Sequence, residues 1–359
     1  MGKTAHWAGP SSGSIAQNGL VSAGLSLSRE QVLRYRARVT HIDRKLPAGS
    51  FAKAAWGGLQ DSVPRGGVIS LHARVQDTKP DSWEDPSLVQ IWFRGGADYI
   101  VPRADVGVFT LGCLPRDPER AAALERLADD IHRAAHGEMT PVGEVAERIG
   151  HRSAADPLHP RASSATGRVH IRWDASRIWL IPVERPAIDP EDARRELARR
   201  YLHWLGPGTK AGLARWVGVP PRDAAETWRG IEAELTEVEV EGERRFVLAS
   251  DVAAFEGAEP IEGARLLPQD DPFTKVDREL LLADLARRRR TLPGQLAAPG
   301  YIPGAILVDG EIVGAWQRQQ RKATLHPFGR LPAAVRDAIE REALAFPIAG
   351  ASAATVRWE

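Results

Sequence analysis

Residues 208–250 read GTKAGLARWVGVPPRDAAETWRGIEAELTEVEVEGERRFVLAS, and this stretch contains signals for two helices followed by a hairpin. Thr209 places a hydroxyl where a helix N-cap needs one, and Gly218 supplies the left-handed backbone of a tight turn between helices. Pro221 suits the first turn of a second helix, where its missing N–H is tolerated. Two alternating runs then meet at Gly242, as in a hairpin. The stretch therefore predicts a winged helix-turn-helix.

In such a module the second helix usually lies in a DNA major groove. The other interpretation is a winged helix that serves only as a scaffold or a protein contact, because a fold does not by itself set a function. The sequence favours DNA contact and leaves the scaffold open.

Upstream of this module, two segments have the same order of helices and hairpin. Residues 29–41 and 50–59 predict helices, 60–62 a connector before an apolar helix over 68–75, and 91–94 with 98–101 a hairpin. Residues 117–136 and 140–150 predict two helices, followed by alternating runs over 169–173 and 178–183. The similar spacing indicates tandem modules, without enough identity between them to define a sequence repeat.

The composition changes after residue 250. Strands over 305–308 and 311–317 are joined through Asp309-Gly310, a strong hairpin signal, and a strand over 322–326 follows. A helix over 331–345 can cover this sheet, and residues 355–358 add a final strand. The basic segment 316–322 at the hairpin tip would either enter a DNA groove or blunt an exposed strand edge with charge.

We therefore predict an α+β fold of tandem winged helix-turn-helix modules followed by a small mixed α/β C-terminal domain. Its parts are a flexible tail over 1–27, modules over 28–113, 114–187 and 188–250, and a C-terminal α+β domain with a β-hairpin over 251–359.

Composition limits the class of protein and its partners. The net charge of +1 gives no overall attraction to nucleic acid, so any basic surface must come from local clustering. Cys113 is the only cysteine, which excludes an intrachain disulfide and predicts a reducing compartment. The sequence contains no run of about 18 apolar residues, so it predicts no membrane span. We expect a cytoplasmic, nucleoid-associated monomer without a membrane partner.

The sequence lacks the standard motifs of metal, nucleotide and cofactor sites, so we expect no cofactor and no metal. One polar cluster stands out, Gln60-Asp61-Ser62, at an apolar junction between predicted helices. An amide can hold a water, and a nearby carboxylate can take its proton or stabilise positive charge on a sugar. The alternative is an ordinary cap or turn, which Asp and Ser commonly form.

From about residue 27 to about residue 345 the chain resembles the winged-helix family that includes the AlkZ- and YcaQ-like interstrand-crosslink DNA glycosylases. Five motifs carry the resemblance in order: Gly58-Leu59-Gln60-Asp61-Ser62 with Pro64 and Ala73-Arg74-Val75, Trp92-Phe93-Arg94-Gly95, Leu266-Leu267-Pro268 with Asp271-Pro272-Phe273, Val308-Asp309-Gly310 with Gly314-Ala315-Trp316, and Pro327-Phe328-Gly329.

The resemblance implies a concave basic face for duplex DNA and hydrolysis of the N-glycosidic bond of N7-alkylated purines without a metal. It implies a catalytic pair of Gln, a hydrophobic residue, then Gln or Asp. Gln60 matches the first member, whereas Ser62 occupies the second and Asp61 the middle position. A histidine that the family carries after Arg-Gly is missing, and Asp98 lies nearby.

We therefore expect a DNA glycosylase that acts on bulky or crosslinked N7-purine adducts in duplex DNA, with self-resistance to a toxin as one role. Gln60 would position water, Asp61 would stabilise the oxocarbenium-like sugar, and Ser62 would assist. Twelve basic residues are expected to contact DNA: Arg34, Arg38, Arg65, Arg94, Arg222, Arg287, Arg288, Arg289, Arg290, Arg318, Arg321 and Lys322. The alternatives are a non-enzymatic winged-helix regulator or lesion binder, and a protein scaffold without DNA affinity.

Overall fold

The computed structural model describes residues 25–63, 65–150, 159–275, 292–297, 303–349 and 355–359. The helices are α1 Arg29–Val39, α2 Phe51–Ala54, α3 Gly66–Arg74, α4 Val106–Leu111, α5 Pro118–Ala135, α6 Val142–Arg148, α7 Pro190–Leu205, α8 Lys210–Val217, α9 Pro221–Arg229, α10 Val252–Glu256, α11 Pro272–Lys275 and α12 Ala333–Leu344. The strands are β1 Leu25–Leu27, β2 Leu59–Gln60, β3 Leu88–Phe93, β4 Ala97–Pro102, β5 Thr140–Pro141, β6 Val169–Trp173, β7 Ile178–Pro182, β8 Leu235–Val240, β9 Glu243–Leu248, β10 Ala264–Leu267, β11 Gly304–Val308, β12 Glu311–Gln319, β13 Lys322–Pro327 and β14 Thr355–Trp358.

The predicted elements of residues 208–250 are confirmed. The Thr209 hydroxyl accepts the Gly212 N–H at 3.0 Å at the start of α8. Gly218 ends this helix with φ 81°, and Pro221 begins α9. Strands β8 and β9 then pair antiparallel through Gly242. The local signals sufficed because each acts within one turn of a helix or hairpin.

Two predictions near the N-terminus are wrong in part. The helix expected over 50–59 is only the short α2, and the chain then turns into β2. Gly57 lies so close to the Trp204 ring that a Cβ there would be 1.4 Å from it, so tertiary packing sets this bend. Of the expected flexible tail, residues 1–24 lie outside the described part, whereas β1 pairs parallel with β8.

Three sheets organise the described residues. Strands β2-β4-β3-β6-β7-β5 form a six-stranded sheet, β1-β8-β9 a three-stranded one, and β10-β11-β12-β13-β14 a five-stranded one. The six-stranded sheet joins the hairpins of the segments 28–113 and 114–187, because Gln90 on β3 pairs with Ile171 on β6. The largest apolar core likewise combines buried side chains of the segments 28–113 and 188–250, the first being Phe51 and the last Leu248. These segments therefore share one packed body.

The C-terminal sheet corrects one alternative for the basic segment 316–322. Strand β12 lies between β11 and β13, and β13 is covered by β14 on its other side. Neither β12 nor β13 is a sheet edge, so the charges of the segment 316–322 do not protect an exposed strand edge from pairing. Among the described residues, no helix is both long and apolar enough to cross a membrane.

Candidate active site

The polar trio lies where β2 leaves the six-stranded sheet. Gln60 is opposite Tyr99 on β4, and the Tyr99 hydroxyl donates to Gln60 Oε1 at 3.1 Å. The Gln60 amide nitrogen donates to Ser62 Oγ at 3.2 Å and to Asp270 Oδ2 at 3.4 Å. The backbone N–H of Asp98 also donates to Ser62 Oγ. Contacts from two distant segments therefore set the orientation of the half-buried Gln60 amide, while Ser62 is exposed.

Asp61 points into the protein and is 0% exposed. Its Oδ1 accepts the Gly67 N–H at 2.8 Å, and its Oδ2 accepts Arg65 Nη1 at 3.0 Å and Gln90 Nε2 at 3.2 Å. Burial raises the pKa of Asp61 to about 7, against the opposing charge of Arg65 and the hydrogen bonds. This geometry differs from the expected direct contact between Asp61 and a sugar, because polar protein groups surround both carboxylate oxygens.

Arg65 belongs to the same internal network. Its guanidinium lies 4.0 Å from the Trp83 ring centroid and 5.7 Å from that of Trp173. Its Nη2 donates to the Trp173 carbonyl at 2.8 Å, and burial lowers its pKa. Aromatic rings and a carboxylate thus hold Arg65 inside the fold, in place of the expected phosphate contact.

The loop that brings Asp270 to Gln60 is fixed by a buried ion pair. Arg74 and Asp271 are both fully buried, and two hydrogen bonds of 2.8 Å join the guanidinium to the two carboxylate oxygens. The Ser70 hydroxyl and the Phe273 N–H also donate to Asp271, at 2.7 and 3.0 Å. Helix α3 is thereby connected to the loop before α11, beside the trio.

A cavity of about 440 Å³ lies next to the trio. Its walls come from the start of α3, from the loop before α11 and from strands β11, β12 and β13; they include Val63, Gly66, Pro268, Gln269, Trp316 and Arg318. Burial lowers the pKa of Arg318, and the charge of Asp61 opposes this shift, so the two groups interact. The cavity combines the amides of Gln269, Gln317 and Gln319 with the guanidinium of Arg318.

The other candidate DNA contacts are dispersed. Arg321 and Lys322 are exposed at the β12–β13 turn, and Gln317, Gln319 and Gln320 are exposed around them. Arg34 pairs with Glu30 on α1, and Arg38 is exposed and donates to the Gly257 carbonyl. Arg287, Arg288, Arg289 and Arg290 lie outside the described residues.

Arg94 and Arg222 line a second cavity, of about 360 Å³, between the β3–β4 turn and the start of α9. The exposed side chains of the β8–β9 hairpin are largely acidic: Glu237, Glu239, Glu241, Glu243 and Arg244. An acidic hairpin repels a phosphate backbone. For residues 208–250 this charge favours the scaffold alternative, and α8 and α9 accordingly contribute Trp216 and Trp228 to the largest core.

Three site residues had no signal in the sequence. Tyr99 and Gln90 lie on strands that had been interpreted only as a hairpin, and Asp270 lies 210 positions from Gln60. Nothing local could have indicated Asp270. Among the described residues, no three His, Cys, Asp or Glu side chains are grouped so that they could ligate a metal.

Comparisons with known proteins agree on one family. The model of the family described as DNA glycosylase AlkZ-like matches residues 54–346. The interstrand DNA cross-link repair glycosylase of Streptomyces sahachiroi is 28% identical over 361 residues, which cover 89% of this chain and 95% of the relative. The solved structure of Streptomyces sahachiroi DNA glycosylase AlkZ has a TM-score of 0.72 at 21% identity and covers 93% of this chain and 100% of that one. This likeness shows a shared mixed α+β fold.

Proposed function

Because this chain belongs to the family of AlkZ-like DNA glycosylases, we propose that it hydrolyses the N-glycosidic bond of bulky or crosslinked N7-alkylated purines in duplex DNA. The relative's name supports crosslinked DNA as the substrate. The observation that carries the proposal is the oriented Gln60 amide beside a cleft containing Arg318. Self-resistance to a DNA-alkylating toxin is a role that this activity would serve.

Alkylation at N7 makes the base cationic and therefore a good leaving group. The C1′–N9 bond breaks, its electron pair neutralises the purine, and positive charge develops on the deoxyribose. Water then adds at C1′ and loses a proton, which leaves an abasic site and the free base. The protein has to orient this water and to stabilise the charged sugar.

We assign the first task to Gln60, because an amide can donate to one group and accept from another and so hold a water in place. Ser62 assists by accepting a hydrogen bond from the Gln60 amide. Asp61 acts as a positioning residue, because it ties the trio to the start of α3 and to Arg65. Its carboxyl group lies within electrostatic reach of Arg318, which lines the cleft.

For DNA contact we propose the β12–β13 tip, with Arg318, Arg321 and Lys322, as the element that enters a groove. Arg34, Arg38 and Arg94 would hold the flanking phosphates, and the sequence alone proposes Arg222 and Arg287–Arg290 for the same role. The tandem winged-helix modules over 28–113, 114–187 and 188–250, followed by the domain over 251–359, would act as structural repeats of one monomer. We place this activity in the cytoplasm, at the nucleoid.

The test is single-turnover incubation with duplex carrying N7-methylguanine, and with duplex carrying a nitrogen-mustard crosslink. We expect the wild-type chain to release the alkylated base and leave abasic sites. Gln60→Ala should abolish release while DNA binding persists. Gln76 is an exposed glutamine in a turn, so Gln76→Ala is the matched control and should behave as wild type. Binding without base release by the wild type would instead support a non-enzymatic lesion binder, and absence of salt-dependent binding a scaffold.

A further inference from the structure

The carboxylates of Asp61 and Asp270 lie near the Gln60 amide, and they differ in their exposure to solvent. Asp61 is 0% exposed and accepts three hydrogen bonds from protein groups. Asp270 is half-buried, and its Oδ2 lies 3.4 Å from Gln60 Nε2. A carboxylate that acts on a bound water must reach the open side of the site. Of these two groups, only Asp270 is partly exposed to solvent.

The position of Asp270 is set by the fold. Its neighbour Asp271 is held by the buried Arg74, so the loop cannot drift away from α3. Asp270 itself has φ 66°, a left-handed conformation that aspartate tolerates better than most residues, and its carboxylate accepts a hydrogen bond from Gln60 on β2. A third group confirms the proximity: burial raises the pKa of Tyr99 to about 12, and the charge of Asp270 acts in the same direction. Tyr99 therefore remains a neutral donor to Gln60.

We propose that Asp270 is the catalytic carboxylate of this enzyme, contributed by the C-terminal domain to the water that Gln60 holds. The proposal rests on the proposed glycosylase function and deepens it. As the C1′–N9 bond breaks, the Asp270 carboxylate stabilises the cationic sugar. It then accepts a proton from the water as the new C1′–O bond forms, and it releases this proton to solvent. The purine leaves with the electron pair of the broken bond, so atoms and charges balance.

The experiment compares Asp270→Asn with wild type on duplex containing N7-methylguanine. It measures the single-turnover rate of base release, and DNA affinity by fluorescence anisotropy. Asp77→Asn is the matched control, because Asp77 is also an aspartate with positive φ and is exposed in another turn. We expect Asp270→Asn to lower the rate by about 100-fold or more, as for loss of a general base, with affinity within threefold. The control should stay within twofold in both.

The outcomes separate this proposal from the function on which it rests. Base release by Asp270→Asn within threefold of wild type would refute Asp270 and leave the glycosylase function standing. A loss of rate matched by an equal loss of affinity would also refute it, since Asp270 would then only shape the DNA site. No release by wild type would overturn the glycosylase function and this assignment together.

A second variant distinguishes loss of the carboxylate from distortion of the loop that carries Asp270. Ser62 Oγ lies 3.2 Å from the same Gln60 amide, so Ser62→Asp in the Asp270→Asn background returns a carboxylate to this amide without changing residue 270 again. We expect at least a tenfold recovery of the rate. A rate that stays at the level of Asp270→Asn, in a double variant with the wild-type circular dichroism spectrum and melting temperature, would contradict the need for a carboxylate beside Gln60.

Discussion

Removing the Asp271 carboxylate should destabilise the protein severely. Its side chain is fully buried and accepts four hydrogen bonds, two from Arg74, one from the Ser70 hydroxyl and one from the Phe273 N–H. Asp271→Leu would leave the guanidinium of Arg74, also 0% exposed, without its counter-charge. Breaking a buried pair in this way costs about 3–5 kcal/mol, which is a large part of the ~5–15 kcal/mol that stabilises a typical folded protein.

A double-mutant cycle separates the charge from the packing. Arg74→Met alone leaves the Asp271 carboxylate buried without its ion-pair partner and should cost about as much as Asp271→Leu alone. The double variant removes both charges; the Ser70 hydroxyl and the Phe273 N–H lose their acceptor, and the Ser70 carbonyl loses the hydrogen bond from Arg74. We expect it to recover most of the loss and to remain about 1–3 kcal/mol below wild type, the usual penalty for unsatisfied buried groups.

The assay is urea unfolding followed by far-ultraviolet circular dichroism and tryptophan fluorescence, with Asp77→Asn as an exposed control. The coupling free energy of the cycle is the quantity to compare, since it cancels effects that each substitution has separately. A loss below about 1 kcal/mol for Asp271→Leu, or additive losses in the double variant, would refute the argument that this ion pair holds α3 against the loop before α11.

Three further outcomes are expected. Gly67→Ala should lower the free energy of unfolding by about 1–3 kcal/mol, because a Cβ there would lie 3.1 Å from Asp61 Oδ1 and 2.6 Å from a side-chain carbon on β4; a neutral result in urea melts would contradict this. The pKa of Asp61 is about 7 in the folded chain against an ordinary 3.8, so its protonated form favours folding below pH 3.8 and this contribution disappears as the pH rises through 7. The difference in the free energy of unfolding between wild type and Asp61→Asn should therefore decrease between pH 5 and pH 8, by no more than about 4 kcal/mol. A difference in urea melts that does not change with pH would argue against the raised pKa. Replacing Arg321 and Lys322 together by Gln should reduce the slope of log K against log salt for duplex binding by about 2, while Arg244→Gln on the acidic β8–β9 hairpin leaves it unchanged, and equal slopes for all three proteins would exclude the β12–β13 tip from the DNA contact.

The sequence predicted the elements whose signals are local. Ser28, Asp117 and Thr209 each accept a backbone N–H at the start of the helix that their position indicates. The Asp309-Gly310 turn joins β11 and β12 as expected. A cap or turn acts over three or four residues, so its sequence context is complete within the chain segment itself.

The missed features depend on contacts between distant segments. Strand β1 forms only against β8, more than 200 residues later. Arg65 was assigned to DNA because it is basic, but two tryptophans from separate elements enclose it. The sequence placed Gln60 on a connector between helices, whereas the structure places it at the end of β2, and its partner Asp270 could be identified only in the folded structure. Charge and polarity are visible in a sequence, but the surroundings that give them a role are not.

The continuous six-stranded sheet limits how the protein can be divided. All six residues of β3 are buried, and this strand is bordered by β4 on one side and by β6 on the other. A fragment that ends at residue 113 would lack β6 and display β3 as an open apolar edge, which invites intermolecular pairing. Anyone expressing pieces of this chain should therefore expect aggregates from a cut between the two hairpins, and should look for soluble fragments that keep β2 to β7 together.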